Sequence, residues 1–170
     1  DLNTIGKAVY GTYSLYSFPV NEVSAGWTAP GDRPASANEL YEYNPTKAGQ
    51  MLAAAGYPDG FEIQLSLPSG ELDLEDMGSM LVEMWRRVGV KVNLNPVETA
   101  ALHKAVGEYS YGDAYLSGYG GDVSETGHIA RMTSHSGENP SRVNDAYLEE
   151  MFPKVSATVD YDERIAKSKE

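Results

Sequence analysis

Residues 61–97, FEIQLSLPSGELDLEDMGSMLVEMWRRVGVKVNLNPV, decide the fold of this chain. Phe61-Glu-Ile-Gln-Leu-Ser-Leu67 alternates apolar with polar residues, the period of a strand that buries one face. Pro68-Ser-Gly70 ends it. From Leu74 to Val88 the period becomes helical, with Met77, Met80, Leu81, Met84, Trp85 and Val88 on one continuous stripe. The methionines of that stripe read as core rather than as a ligand groove. Val90-Lys-Val-Asn-Leu-Asn-Pro-Val97 then alternates again. Strand, helix and strand joined by short turns form a βαβ unit, which requires a parallel pair and a right-handed crossover. The predicted architecture is α/β, a sheet with a βαβ unit flanked by helices.

The flanks agree with that reading. Upstream, Asn44-Pro45 opens a helix, because Asn suits the N-cap and Pro at N1 lacks only an amide that would be unsatisfied there. Ala48, Met51, Leu52 and Ala55 repeat at helical spacing, Gly56 supplies a left-handed cap, and Tyr57-Pro-Asp-Gly60 is a turn. Residues 2–10 read as a short opening helix, and residues 12–43, broken by Pro19, Pro30 and Pro34, as a long irregular connection. Downstream, Thr99 to Val106 reads as a helix and Ala114-Tyr-Leu-Ser117 as a short strand. Asn144 is the expected cap of a helix that Pro153 kinks or ends. Asp160 with Glu163 makes a capping box for a last helix, Tyr161 to Glu170.

Composition excludes several functions. The net charge of −12 and a pI near 4.6 repel phosphate backbones, so no nucleic-acid partner is expected. No apolar run approaches the roughly 20 residues that span a bilayer. Cysteine is absent, which removes thiolate catalysis, Cys-ligated zinc and disulfides. No secretion signal stands at the start, and a first residue of Asp rather than Met leads us to expect a chain that begins partway through something longer.

The stretch most suggestive of chemistry is Ser117-Gly-Tyr-Gly-Gly-Asp-Val-Ser-Glu-Thr-Gly127. It lacks the Lys of a phosphate-binding loop and the third Gly of a dinucleotide fingerprint, and Asp122 and Glu125 would face a bound phosphate. No Gly-x-Ser-x-Gly occurs, and His103, His128 and His135 sit in neither a triad pattern nor a ligand pattern, so neither a catalytic residue nor a metal site is assigned. Two readings stay open. In one, the loop faces a ligand beyond a strand's carboxyl end, with an aromatic and a carboxylate suited to an amine-bearing solute. In the other, it is a plain strand-to-helix turn with Asp122 capping the next helix.

Four motifs in order carry a family resemblance. Tyr43-Asn-Pro-Thr-Lys-Ala-Gly-Gln-Met-Leu-Ala-Ala-Ala-Gly-Tyr-Pro-Asp-Gly-Phe61 resembles the signature of the extracellular solute-binding proteins of family 5, the oligopeptide, dipeptide, nickel and opine receptors of ABC importers. Residues 84–97 resemble the same family's helix-to-strand segment, Gly118-Tyr-Gly-Gly-Asp122 its Gly-Trp-x-x-Asp loop, and residues 142–151 a later motif. The resemblance implies a periplasmic-binding-protein-like type II lobe. It further implies that residues 1–170 are a single domain, the C-terminal lobe of a two-lobed protein, truncated at both ends.

The implied function is the capture, without catalysis or cofactor, of a peptide or similar small solute between two lobes. The implied partners are the membrane subunits of an ABC transporter and the missing N-terminal lobe, at the periplasmic or extracellular face of a bacterial membrane. Carried over by position, the ligand-binding residues are Tyr119, Gly120 and Asp122, with Asp122 pairing a ligand amino group. Tyr119 replaces the family's usual Trp, and Leu116 stands where peptide-binding relatives can have Arg. Residues 123–127 with Arg131 downstream are more similar to the opine and small-solute branch. Arg131 suits a ligand carboxylate or, as the plainer reading, a surface salt bridge. The competing functions are a small α/β hydrolase-like enzyme that uses Asp122 with a histidine, and a stand-alone interaction domain.

Overall fold

The structure, a computed structural model, describes residues 1–11, 22, 24–118, 125–134 and 139–169, and of Glu125 the backbone alone. These residues fall into two compact units, one within Asp1–Ser14 and Glu42–Tyr119, the other within Leu15–Tyr41 and Gly120–Glu170.

The first unit is built on the predicted βαβ. Strand β1, Phe61–Pro68, pairs in parallel with β2, Val90–Val97, in a register that sets Phe61 opposite Val90 and Pro68 opposite Val97. On its other side β1 pairs in parallel with the short strand β3, Ala114–Tyr115, giving the order β2-β1-β3. β3 is shorter than the predicted Ala114–Ser117, although the ladder continues one step as Leu116 N–H donates to Ser66 O at 2.8 Å. Because side chains alternate, Glu62, Gln64 and Ser66 share a face with their partners Lys91, Asn93 and Asn95. Ile63, Leu65 and Leu67 take the opposite face.

Burial along β1 is graded rather than one-sided, with Phe61 exposed and Ile63 half-buried in its first half. From Leu65 to Pro68 every residue is buried, Ser66 included. A central strand of a parallel sheet is covered on both sides, and Ser66 is tolerated there because its hydroxyl donates to Tyr111 O at 2.8 Å and accepts from Asn95 Nδ2 at 3.1 Å.

Helix α4, Leu72–Arg86, crosses the apolar face. It approaches closely at buried Gly78, where a methyl group would stand 3.4 Å from Leu94 Cδ2 and 3.5 Å from Leu67 Cδ1. Leu81, Val82 and Trp85 pack on the cluster of Leu65, Val90 and Val92. The methionine stripe divides: Met80 and Met84 line an open cleft of about 420 Å³ with Tyr43, Ser79, Glu83 and Arg87, so that part of it is groove rather than core. The helix with the Asn44 cap is Pro45–Ala54, here α3; Asn44 Oδ1 accepts from Lys47 N–H at 2.9 Å, and Gly56 beyond it has φ +94°. Helix α5, Thr99–Gly107, buries Leu102 and is capped by Glu98.

The opening segment departs from the simple helix expected over residues 2–10. It is a four-residue α-helix, α1, Leu2–Ile5, that widens into a π-turn over Gly6–Tyr10 and stops at Gly11, whose φ is +65°. Numbering follows chain order, with α2 belonging to the second unit.

In that unit, the stretch expected to be irregular holds a 3-10 turn, Pro30–Asp32, and helix α2, Ala35–Glu39. Two of the prolines that suggested a break instead begin these elements, Pro30 as a first helical residue and Pro34 as an N-cap, while Pro19 lies outside the described residues. Three more helices follow: α6, Glu125–Ala130; α7, Ala146–Ser156; and α8, Tyr161–Ser168. Asp145, not Asn144, caps α7, accepting from Tyr147 N–H at 2.9 Å and Leu148 N–H at 3.1 Å. A carboxylate serves better than an amide beside the positive end of the helix. Pro153 does not end α7, because its ring lies on the exposed side and the next turn closes through Ala157 N–H to Pro153 O at 3.0 Å. Asp160 caps α8 through Glu163 N–H at 2.9 Å as expected, and α8 ends at Ser168, short of the predicted Glu170.

Candidate functional site

The strand order places the candidate site. From β1 the chain passes through α4 to β2 on one side, then through α5 back across β1 to β3 on the other. The carboxyl ends of β1 and β3 therefore flank the point where the order reverses, the crevice in which open α/β sheets receive ligands. Ser117 and Gly118 leave β3 there, beside Ser69 and Gly70 leaving β1. The predicted site residues Tyr119, Gly120 and Asp122 lie outside the described residues, as does His135. The chain resumes at α6, whose first residue is Glu125.

At the exits of β1 and β2 three carboxylates are held in place. Glu75 Oε1 accepts from Gly70 N–H at 2.7 Å, which fixes the turn after β1. Glu71 Oε1 accepts from Thr99 Oγ1 at 3.4 Å, linking the exits of β1 and β2. Glu98 accepts from Ala100 N–H at 3.0 Å and Ala101 N–H at 2.9 Å. Those two backbone donors hold its carboxyl below the usual glutamate range, so it stays ionised in mild acid. The exits of β1 and β2 are themselves joined by Ser69 N–H to Val97 O at 2.8 Å. Behind β3, the rings of Tyr111 and Tyr115 meet at 4.8 Å and a tilt of 58°.

This arrangement can present fixed negative charge and backbone groups to a solute, and aromatic surface close by. Sequence reasoning did not single out Glu75, Glu98 or the Tyr111–Tyr115 pair. Glu98-Thr99 directly after the second alternating strand was the available signal, since that position in a βαβ chain opens a helix at the carboxyl edge.

His103 is exposed on α5, and His128 lies on α6. Among the described residues no three His, Cys, Asp or Glu side chains converge as for a metal ion. Among the described residues, no helix is long and apolar enough to cross a membrane.

Comparison with known proteins gives consistent results. The model of the family described as bacterial extracellular solute-binding proteins, family 5 Middle, matches residues 1–141. Heme-binding protein A of Haemophilus influenzae is 30% identical over 131 residues, 73% of this chain and 24% of that protein. Among solved structures, the periplasmic binding protein DppA of Helicobacter pylori, in complex with the peptide STSA, matches with a TM-score of 0.81 at 20% identity, over 99% of this chain and 33% of its own. The oligopeptide-binding protein AppA of Bacillus subtilis, in complex with a nonapeptide, gives 0.80 at 20% identity, over 99% and 36%. The chain thus spans about a quarter of the curated relative and about a third of these structures. At such identities the structural matches establish the fold.

Proposed function

The chain belongs to the bacterial extracellular solute-binding proteins of family 5, and from that membership we propose that it is one lobe of a two-lobed receptor that delivers a peptide or similar small, amine-bearing solute to an ABC importer. The lobe works at the outer face of a bacterial membrane and performs no chemistry on its ligand. Its family binds substrates rather than transforming them.

The observation that carries this reading is the crevice at the order reversal, where Ser117-Gly118 enters the glycine-rich loop beside the held carboxylates of Glu71, Glu75 and Glu98. On this reading, Asp122 pairs the solute's ammonium group, Tyr119 lies against its body and Gly120 offers backbone. An acidic rim raises the local concentration of a cationic group and disfavours anions. The two structural relatives named above are described as peptide complexes, which favours peptide as the solute class. A second solute is worth testing because the curated relative is named for heme.

Grip by one lobe leaves half the ligand in water, so tight binding requires closure of the second. Calorimetric titration of the two-lobed receptor and of the 170-residue chain with trialanine and with hemin tests this. We expect the receptor to bind trialanine at least about a hundredfold more tightly than the chain, a gap of roughly 2.7 kcal/mol. Equal affinity of the two proteins would contradict the half-site reading, and hemin binding without peptide binding would replace the solute class.

A further inference from the structure

The strand that leads toward the glycine-rich loop is held by more than its own ladder. β3 pairs with β1 over two positions, Leu65 with Ala114 and Ser66 with Tyr115. Parallel pairing is the weaker kind per residue, and two residues fall below the usual length of a strand. The segment just before β3 supplies what the ladder lacks.

Residues 111–113 are fastened to β1 through side chains of both segments. Asp113 Oδ2 accepts from Gln64 N–H at 2.8 Å, across 49 positions of sequence. Asp113 directly precedes β3, so its carboxylate takes the place of the carbonyl that a longer strand would present to that donor. The hydroxyl of Ser66, a residue 2% exposed, donates to Tyr111 O at 2.8 Å. Between these two bonds Gly112, at φ +91°, passes so close to Gln64 that a Cβ would stand 3.0 Å from Nε2. The Tyr111 ring then meets that of Tyr115 on β3 at 4.8 Å. At the far end of β3, Leu116 N–H donates to Ser66 O at 2.8 Å, just before Ser117 and Gly118 leave the sheet.

We propose that Asp113 is a positioning residue for ligand capture: by accepting from Gln64 N–H it sets the start of β3, and so the place from which Ser117-Gly118 delivers the loop assigned above to the solute. The inference rests on that assignment for its ligand, and on the contacts of Asp113, Gln64, Ser66 and Tyr111 for the clamp itself. A binding group has to be held within about 0.5 Å of its productive place, so affinity depends on what secures the strand behind it. Asp113 is exposed, and replacing it removes the acceptor without opening a space in the core.

The test has two arms. Amide hydrogen exchange of the 170-residue chain reads the clamp, and calorimetric titration of the two-lobed receptor with trialanine reads its effect on the ligand. In Asp113→Ala we expect the Leu116 amide to exchange about tenfold faster, the size of one charge-assisted hydrogen bond. The Ser69 amide, bonded to Val97 O at 2.8 Å, keeps its rate. The receptor with the same substitution binds trialanine about tenfold more weakly. Asp113→Asn restores both readouts, because its side-chain oxygen accepts the same bond, a rescue that a role for the charge alone would not give. An unchanged Leu116 rate, or an unchanged trialanine affinity, in Asp113→Ala would overturn the proposal. Asp122→Asn, titrated beside it, separates the two readings: a receptor weakened by Asp122→Asn alone keeps the site and loses the clamp. A parent receptor that does not bind trialanine at all loses the solute reading, and the Leu116 rate then decides whether the clamp stands.

Discussion

At the scale of single residues, the closest glycine contact among the described residues is that between Gly60 and Gly89. Both have positive φ, +78° and +91°, and a Cβ on Gly60 would stand 1.8 Å from Gly89 O. The same carbonyl accepts from Phe61 N–H at 3.2 Å, so the two turns that begin β1 and β2 lock together before either strand pairs. Gly60→Ala forces both a left-handed alanine and a backbone collision, and we expect it to cost at least about 1–3 kcal/mol in urea unfolding; a variant as stable as the parent would show that the turns can separate freely. Tyr57-Pro-Asp-Gly60 announced a turn in the sequence, but its partner Gly89 gave no sign, because contact between two loops is not a periodic property.

Charge at the residue scale makes a second expectation. Glu62 is held below the usual glutamate range first by its hydrogen bonds from Lys91, at 2.9 Å, and from Asn93, and then by the Lys91 charge. The backbone caps hold Glu98 down in the same direction. A carboxyl lowered in the folded state stabilises it above the unfolded value, and that contribution disappears as pH falls through the lower, folded value. The thermal midpoint is therefore expected to fall as pH drops from about 5 to about 3, and Glu62→Gln to flatten part of that fall. A variant with the parent's full pH dependence would show that the Glu62 pair contributes nothing.

At the scale of elements, the βαβ core follows from two alternations and one helical stripe, because those periods are fixed by the geometry of strand and helix. Leu67 sits at the centre of this arrangement, 1% exposed and beneath Gly78 of α4. Leu67→Ala should cost about 2–5 kcal/mol, since the helix cannot settle into the space left by the lost side chain. A loss under about 1 kcal/mol in chemical unfolding would place α4 less firmly on the sheet than described.

The elements that escaped sequence reading share a physical cause. Helix α2 is five residues long, too short for a hydrophobic period, and Pro34 before it reads equally as a break or as a start. Pro153 inside α7 costs one backbone bond, which neighbouring turns absorb at an exposed position. The second half of β1 is buried on both faces because β3 pairs beside it, and that pairing arises between residues 49 positions apart, Leu65 and Ala114.

At the scale of the whole molecule, the family match sets the class of function, and the crevice at the strand reversal is where the proposed reading places its action. Tyr119 and Asp122 were legible as candidates because their loop follows the predicted short strand over 114–117; their roles rest on the resemblance of Gly118-Tyr-Gly-Gly-Asp122 to the family loop. The carboxylates held at the exits of β1 and β2 were not legible, since Glu71 and Thr99 meet only through the joining of those exits at Ser69 and Val97. The family match supports the proposal that these pieces belong to a receptor.

The most direct measurement of that account is the calorimetric affinity of the two-lobed receptor for trialanine with Asp122 intact and with Asp122→Asn. Loss of a charge-assisted bond to the ligand's ammonium should cost about 2 kcal/mol or more, a drop of at least about thirtyfold, with the melting temperature of the free protein unchanged. An affinity equal to the parent's would contradict the central claim and remove Asp122 from the site.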